Sequence, residues 1–311
     1  MISRCLKSLQ YPSVSIGVPV FNGERYLREA LDSLVSQDYP NFEIHVSDNA
    51  STDSTWTIIR EYAAKNDRFR LHRWGQNVGA VRNFQHVLLD SDTKYFMWAA
   101  FDDIWSPDFI SKAVAVLEAD RSAVMVNANT VLIDEAGNEL PEMATRPPLC
   151  DMKGVMYADS VKELALRVGW CIYALINRKM LLKTSVFGDQ EITHDVILTY
   201  ELASLGSLRV LQDVSFFYRI VPNSLSDVQA QLQVESDVIT KPFSRLFQRC
   251  SRVIATSSVS APERAQASEN FLDVCAAHGE WWPALRAENN WPKTPKARRR
   301  ACLLKELAGE G

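Results

Sequence analysis

The stretch Lys94–Pro107, KYFMWAAFDDIWSP, decides the fold. Its apolar run, Tyr95 to Phe101, has the length of a buried strand. The run opens into two adjacent carboxylates, Asp102 and Asp103. Ser106, Pro107 and Asp108 follow as an N-cap, a proline in the first helical position and an acid in the first turn. Two like charges about 4 Å apart repel by roughly 4 kcal/mol at an effective dielectric near 20. A divalent cation turns that repulsion into binding. Oxygen-only ligands suit Mg²⁺ or Mn²⁺, and Mg²⁺ commonly takes one or two carboxylates together with substrate phosphates. The same two acids also read as a solvated acidic turn.

Composition narrows the class. The 311 residues suffice for one large domain or two closely packed ones, and 47% hydrophobic residues make an ordinary globular core. A net charge of −4 gives no electrostatic reason to expect nucleic acid. Cysteines at 5, 150, 171, 250, 275 and 302 form no CxxC pair, so neither a zinc site nor a disulfide framework is indicated, and a reducing cytoplasm is expected. No apolar run approaches the ~18 residues that span a bilayer. The beginning, MISRCLKSLQYP, reads as too short and too polar for a secretory signal.

Outward from the acids, the first hundred residues alternate. Ser13–Val20, Phe42–Ser47, Phe69–Trp74 and Tyr95–Phe101 read as strands. Glu24–Gln37, a segment from Asp53 to about Ala64, and Ala80–Leu89 carry helical spacing between them. This alternation predicts an α/β protein whose mainly parallel sheet is covered by helices on both faces. Ligands of such sheets sit at the carboxyl ends of the strands. Polar residues gather there: Asn22 and Glu24 after the first strand, Asp48 and Asp53 after the second, Asn77, Arg82 and Asn83 after the third, and the two acids after the fourth. Asp53 also reads as a helix N-cap, Asn77 as a turn former and Arg82 as a solvated helix residue. Asp48 is harder to dismiss, because Ser51 or Asp53 already suffices as a cap.

Neither GxGxxG nor GxxxxGK[ST] follows a strand, so the dinucleotide fingerprint and the P-loop are missing. A carboxylate after the second strand suits a base or ribose, and a metal on Asp102 and Asp103 suits a diphosphate. Three stretches then carry a resemblance: VSIGVPVFNGERYLREALDSLVSQDYPNFEIHVSDNASTDST (Val14–Thr55), NVGAVRNFQ (Asn77–Gln85) and YFMWAAFDDIWSPDFI (Tyr95–Ile110). In type, order and spacing they resemble family 2 glycosyltransferases of the GT-A fold. The resemblance implies a nucleotide-sugar donor, a divalent metal (Mn²⁺ or Mg²⁺) and inverting transfer. Carried over by position, it puts Pro19, Phe21 and Glu24 along the nucleotide site, Asp48 on the base, usually uracil, and Arg82 near the nucleotide. Asp102 stands where the family's DxD motif has its metal-binding acid. The first acid of that motif falls at Ala100, so only Asp102-Asp103 is present, and both acids are candidate metal ligands.

The second half is read more coarsely. Ala123–Ile133 is β-rich, and Glu135–Asn138 looks like a hairpin turn. Thr145–Val155 reads as a loop, Asp159–Val168 as a short helix and Cys171–Ile176 as a strand. An amphipathic helix is expected to run to Leu205 behind His194 and Asp195. In the family an acid pair stands before such a helix and its second member is the general base; that position is Asp195, with His194 as an orienting neighbour or acceptor contact. On its own, Asp195 also reads as an acid complementing the helix dipole. Leu208–Ile220 reads as a strand ending in Tyr218-Arg219. The histidine that often follows in the family is replaced here by Val221-Pro222-Asn223-Ser224. Arg219 reads either as a phosphate contact or as a surface residue.

The expected organisation is a glycosyltransferase domain over 1–230, with a nucleotide-sugar half at 13–110 and an acceptor half at 111–230, and a helical extension over 231–311. In the extension Trp281, Trp282 and Trp291 flank Lys293, Lys296, Arg298, Arg299 and Arg300. Such a segment suits peripheral contact with an anionic membrane on its inner face, where a lipid-linked acceptor would be met, or equally a packed helical appendage with a solvated basic face. The function expected is transfer of a UDP- or dTDP-linked sugar to a glycan or lipid-linked hydroxyl acceptor in surface polysaccharide or glycolipid synthesis. Ala100 and Val221 keep a second reading open, a non-catalytic nucleotide-sugar-binding partner. A sugar-1-phosphate nucleotidyltransferase would need a Gly-rich basic loop after the first strand, which Val18–Asn22 is not.

Overall fold

The computed structural model describes residues 11–141, 151, 171–187, 194–221, 242–277, 281–288, 299 and 302–304. The chain divides into two compact units. The first is formed by Met1–Asp151, Trp170–Val186 and Leu208–Gln233, the second by Met152–Gly169, Phe187–Ser207 and Val234–Gly311.

The first unit alternates as the apolar runs dictate. Its elements are β1 (Val14–Val20), α1 (Leu27–Val35), β2 (Phe42–Asp48), α2 (Thr55–Lys65), β3 (Phe69–Arg73), α3 (Ala80–Leu89), β4 (Tyr95–Trp98), β5 (Ile104–Trp105), α4 (Phe109–Ala119) and β6 (Ala123–Ile133). Later come β7 (Leu175–Asn177), α5 (Arg178–Leu181) and β8 (Ser207–Arg219). Among the described residues one sheet has the order β3-β2-β1-β4-β7-β6-β8-β5. β1 pairs in parallel with β2 and β4, and β2 with β3. Beyond β4 the pairing turns antiparallel, β4 with β7, β7 with β6 and β5 with β8.

All seven residues of β1 are buried, as a central strand covered on both faces requires. Each fully buried Val or Ile contributes roughly 1.5–3 kcal/mol. Gly17 sits where a Cβ would come within 2.6 Å of Phe96 and 2.7 Å of Val87, so glycine lets α3 close on the sheet. The chain leaves β1 for β2 on one side, and β4 lies on the other. This is the crossover point at which parallel sheets open a crevice.

Several details differ from the sequence expectation. β4 ends at Trp98, and the two-residue β5 follows the acids directly because β8 supplies its partner, Ile104 opposite Phe217 and Trp105 opposite Phe216. Ser106 does not cap α4: its Oγ accepts from Ser215 N at 3.1 Å, and Ser106 N donates to Ser215 O at 3.0 Å. Cys171–Tyr173 is a 3₁₀ turn, with strand geometry only from Leu175. The expected hairpin turn is present. Asp134 N donates to Asn138 O, Asp134 Oδ1 accepts from Ala136 N and Asn138 N, and Gly137 takes a φ of 88°.

In the second unit α6 (His194–Leu205), α7 (Pro242–Thr256) and α8 (Ala261–Ala277) meet at Tyr200, Phe247 and Phe271, and α9 (Trp281–Glu288) packs against α7 and α8. The rings of Phe247 and Phe271 stack at 5.6 Å. α6 is not amphipathic as expected; eight of its twelve residues, His194 and Thr199 among them, are buried, the pattern of a core helix. The Asp159–Val168 helix, residues 145–150, Pro222–Ser224, Trp291, Lys293, Lys296, Arg298 and Arg300 lie outside the described residues. Arg299 donates from Nη1 to Ala276 O at 3.0 Å, at the C-terminal end of α8.

Candidate functional site

The carboxyl ends of β1, β2 and β3 are tied together by polar side chains. Asn22 N donates to Ser51 Oγ at 2.9 Å, Gly23 N to Thr55 Oγ1 at 2.8 Å and Glu24 N to Asp53 Oδ2 at 3.1 Å. In return Thr52 N donates to Asn22 Oδ1 and Ser54 N to Glu24 Oε2, both at 2.9 Å. Glu24 and Asp53 thus latch the loop after β1 to the loop after β2. Asp53 Oδ1 also accepts from Thr55 N at 3.0 Å, but the N-cap position of α2 is held by Ser54, so Asp53 stands one residue ahead of the cap expected of it. Asn49 Nδ2 donates to Asn77 Oδ1 at 2.9 Å and Asn49 Oδ1 accepts from Val78 N at 2.8 Å, which fastens the loop after β3.

A solvent-open cleft of about 440 Å³ lies on these ends. Pro19, Phe21, Asn49, Asn77, Asn83 and Phe101 are among the residues that line it. Asn83 is buried, donates to Ser47 O and accepts from Ser47 Oγ and Trp74 Nε1, so it also bolts α3 to β2. Arg82, one residue earlier, is exposed, with its guanidinium 5.1 Å from the Trp74 ring centroid.

Asp48 is wholly buried. Its Oδ1 accepts from Ser51 N at 3.1 Å, and its Oδ2 lies 3.0 Å from Arg73 Nε. Arg73 also donates to Ser51 O and lies over Trp56. Sequence reasoning named Asp48 but passed over Arg73 and Trp56; the only signal was their position flanking strand ends.

Phe101 leads from the cleft into the acidic turn. Asp103 is buried; its Oδ1 accepts from Arg219 N at 2.8 Å, while Oδ2 is buried without a hydrogen-bond partner. Burial, then the charge of Asp102, pushes the Asp103 carboxyl well above the ordinary carboxylate range. Burial pushes Asp102 up as well. These are two hard oxygen donors, one with an orphaned oxygen, and the neighbouring Arg219 cation offsets their charge without cancelling the effect of burial. They fit a hard divalent cation that completes its shell with phosphate oxygens and water. Among the described residues no three His, Cys, Asp or Glu side chains form a metal cluster by themselves.

Arg219 corrects the expectation of a surface or phosphate-facing residue. It is 3% exposed and its guanidinium is spent internally. Nε donates to Asp102 O at 2.8 Å, Nη1 to Asp134 O and Glu135 O, and Nη2 to Glu29 Oε2 at 2.6 Å.

Asp195 belongs to the second unit, in the first turn of α6. Its Oδ1 accepts from Val196 N at 2.8 Å, and burial raises its pKa. His194 is buried beside Phe187.

A cleft at the crossover of a parallel sheet, next to an acidic turn, is the arrangement of the open α/β class, whose ligands sit at the carboxyl ends of the strands. The family model for glycosyl transferase family 2 matches residues 15–183, more than half of the chain. The chain belongs to that family. EpsE of Bacillus subtilis (strain 168), named as a glycosyltransferase, is 32% identical over 164 residues, 49% of this chain and 59% of its own length. An uncharacterized glycosyltransferase of Haemophilus influenzae is 25% identical over 240 residues, 72% of this chain and 71% of its own. The chain thus spans less than two thirds of EpsE. Among solved structures, S. aureus TarS 1–349 in complex with UDP-GlcNAc superposes with a TM-score of 0.68 at 14% identity, covering 96% of this chain and 88% of that one. The mannosyltransferase PcManGT from Pyrobaculum calidifontis, in complex with GDP-Man and Mn²⁺, gives 0.53 at 17% identity, covering 96% and 87%. At these identities the likeness shows the fold.

Proposed function

We propose that this chain transfers a sugar from a UDP- or dTDP-linked donor to a hydroxyl acceptor with inversion, in the synthesis of a surface polysaccharide or glycolipid. The observation that carries the reading is the cleft at the ends of β1, β2 and β3, whose lining residue Phe101 is followed directly in the chain by Asp102 and Asp103. The UDP-GlcNAc bound by TarS supports a uridine-linked donor. Asp48, with Arg73 and Trp56 beside it, takes the base; Pro19, Phe21 and Glu24 frame the nucleoside; Arg82 lies near the diphosphate.

Asp102, with Asp103 beside it, would hold Mg²⁺ or Mn²⁺, which offsets negative charge on a departing diphosphate. In the transfer the acceptor oxygen attacks the anomeric carbon from the face opposite the diphosphate. A carbon–oxygen bond forms there as the bond to the diphosphate breaks, and the electron pair leaves with the nucleotide. The acceptor proton passes to Asp195. A half-buried carboxylate whose pKa is raised by desolvation is a better proton acceptor than a fully solvated one. The tryptophans and basic residues of the C-terminal segment are proposed to meet an anionic membrane surface carrying a lipid-linked acceptor.

Calorimetric titration of UDP, GDP and dTDP, each with and without Mn²⁺, tests the reading. Metal-dependent binding of UDP or dTDP supports it. Binding of none counts against the transferase reading and equally against the non-catalytic nucleotide-sugar-binding role that Ala100 and Val221 keep open.

A further inference from the structure

We infer that Arg219 is a positioning residue that sets the geometry of the Asp102-Asp103 turn toward its cation, with Glu29 as the counter-charge that holds it. The inference rests on the functional reading above. β5 and β8 are antiparallel, with Ile104 opposite Phe217 and Trp105 opposite Phe216, and Ser106 N bonded to Ser215 O. Continued by two residues, this register sets Arg219 opposite Asp102. There the backbone ladder gives way to side chains. Arg219 N, which would seek a carbonyl, takes Asp103 Oδ1 at 2.8 Å, and Arg219 Nε takes Asp102 O at 2.8 Å. One residue thus grips the peptide of one acid and the carboxylate of the other. Because Oδ1 of Asp103 is fixed in this way, the plane of the carboxylate is fixed, and Oδ2 is left without a partner.

The grip is backed from two other directions. The hairpin after β6 gives the carbonyls of Asp134 and Glu135 to Nη1 at 3.0 and 3.2 Å. α1 gives Glu29 to Nη2 at 2.6 Å, and Tyr26, at the N-cap just before α1, sets its ring 4.7 Å from the guanidinium carbon. A guanidinium holds this fan of acceptors because its donors lie in a rigid planar fork; an ammonium is a point charge and does not. Partners behind metal ligands commonly alter affinity by about 10–100-fold when removed. Arg219 therefore acts through the acids rather than on the donor, since its side chain is buried and four of its five guanidinium N–H groups are engaged within the protein.

The test uses the full chain and Mn²⁺ as probe, with UDP saturating. Free Mn²⁺ is counted by electron paramagnetic resonance, and metal-free UDP affinity is measured by calorimetry. In Arg219→Lys we expect Mn²⁺ affinity to fall by about tenfold while metal-free UDP affinity holds within about twofold. Glu29→Gln, on a half-exposed partner, should lose a smaller factor in the same direction. Arg25→Gln breaks an exposed ion pair to Glu135 of the same hairpin, at 2.9 Å, and should leave both affinities unchanged. If Arg219→Lys does not fold, Glu29→Gln decides alone. Unchanged Mn²⁺ affinity in the folded variants overturns the inference and leaves the functional reading standing. A wild-type chain that binds no Mn²⁺ with UDP overturns both.

Discussion

Nε of Arg73 lies 3.0 Å from Oδ2 of Asp48, and Asp48 is wholly buried while Arg73 keeps part of its surface in water. The pair joins the last residue of β2 to the last of β3, which face each other in the parallel register. Removing the arginine leaves a buried carboxylate without its cation. Arg73→Ala should therefore cost about 2 kcal/mol, less than a fully buried pair would, because Arg73 is partly solvated. Urea unfolding checks it: the midpoint should fall with an unchanged slope.

His72 and His86 pack with ring centroids 4.0 Å apart, and the Nε2 atoms of both are buried without hydrogen-bond partners. Burial, then the neighbouring His72, lowers the pKa of His86 below its ordinary 6.5. The unfolded chain thus takes up a proton that the folded chain refuses. Stability should decline as pH falls through 6.5 and below, and be fully present above it. His86→Phe removes that proton. Melting temperature between pH 5 and 8 should depend less on pH in the variant, and an identical slope in both proteins would exclude the imidazole pair as its source.

Ala50 follows the Asp48-Asn49 end of β2 with a φ of 61°, a left-handed conformation that costs a non-glycine residue roughly 1–2 kcal/mol. Glycine relieves the strain and gives part of it back, about 0.5–1 kcal/mol, through the freedom of the unfolded chain. Ala50→Gly should stabilise by about 0.5 kcal/mol, and Ala50→Val, β-branched, should destabilise by more than about 1 kcal/mol. Chemical denaturation of the three proteins orders them.

The parallel half of the sheet was legible because β1, β2 and β4 are almost wholly buried runs, with only the edge strand β3 largely open, and the ends of β1 and β2 are marked by a change to Asn, Asp and Ser. The acidic turn was legible for the same reason: two charges after YFMWAAF have nothing local to satisfy them. What could not be read depends on partners far along the chain. β5 is two residues long and exists because β8 lies beside it, some hundred residues later. Ser106 carries every mark of a cap, yet its hydroxyl is taken by Ser215. Arg219 at a strand end looks solvated until Glu29, Asp102 and the Asp134–Asn138 turn are folded around it. Glu24 sits at a strand end as a ligand would, and its Oε2 accepts the N–H of Ser54. Local pattern reports which face is buried; it is silent on which polar group claims which partner.

Asp102→Ala should weaken nucleotide binding in the presence of Mn²⁺ by about tenfold or more and leave metal-free binding nearly unchanged, because Asp102 is the less buried of the two acids and none of its carboxylate bonds organises the sheet. Asp103→Ala differs. It removes the acceptor of Arg219 N, so a drop in melting temperature should accompany the loss of metal response. Calorimetry with and without Mn²⁺, alongside thermal melts, separates the two. Equal affinity for the nucleotide with Mn²⁺ in wild type and Asp102→Ala would remove Asp102 from the metal assignment.

Asp195 carries the most specific chemical expectation. A general base acts only when deprotonated. Burial raises its pKa above the ordinary 3.8, so the protonated form persists to higher pH than it would for an exposed aspartate. Turnover should fall as pH drops through that raised value, and the acid limb of the kcat profile should report it. Asp195→Asn keeps the shape and still accepts the Val196 N–H through its side-chain oxygen. It should abolish transfer, a loss of at least about 10²-fold for a missing base, while nucleotide affinity stays within about twofold. Steady-state rates across pH, with calorimetry on the same variant, read both quantities. Turnover in Asp195→Asn like that of the wild type, with the acid limb intact, would assign the proton to another group; loss of nucleotide binding in step with activity would make Asp195 a structural residue of α6 instead.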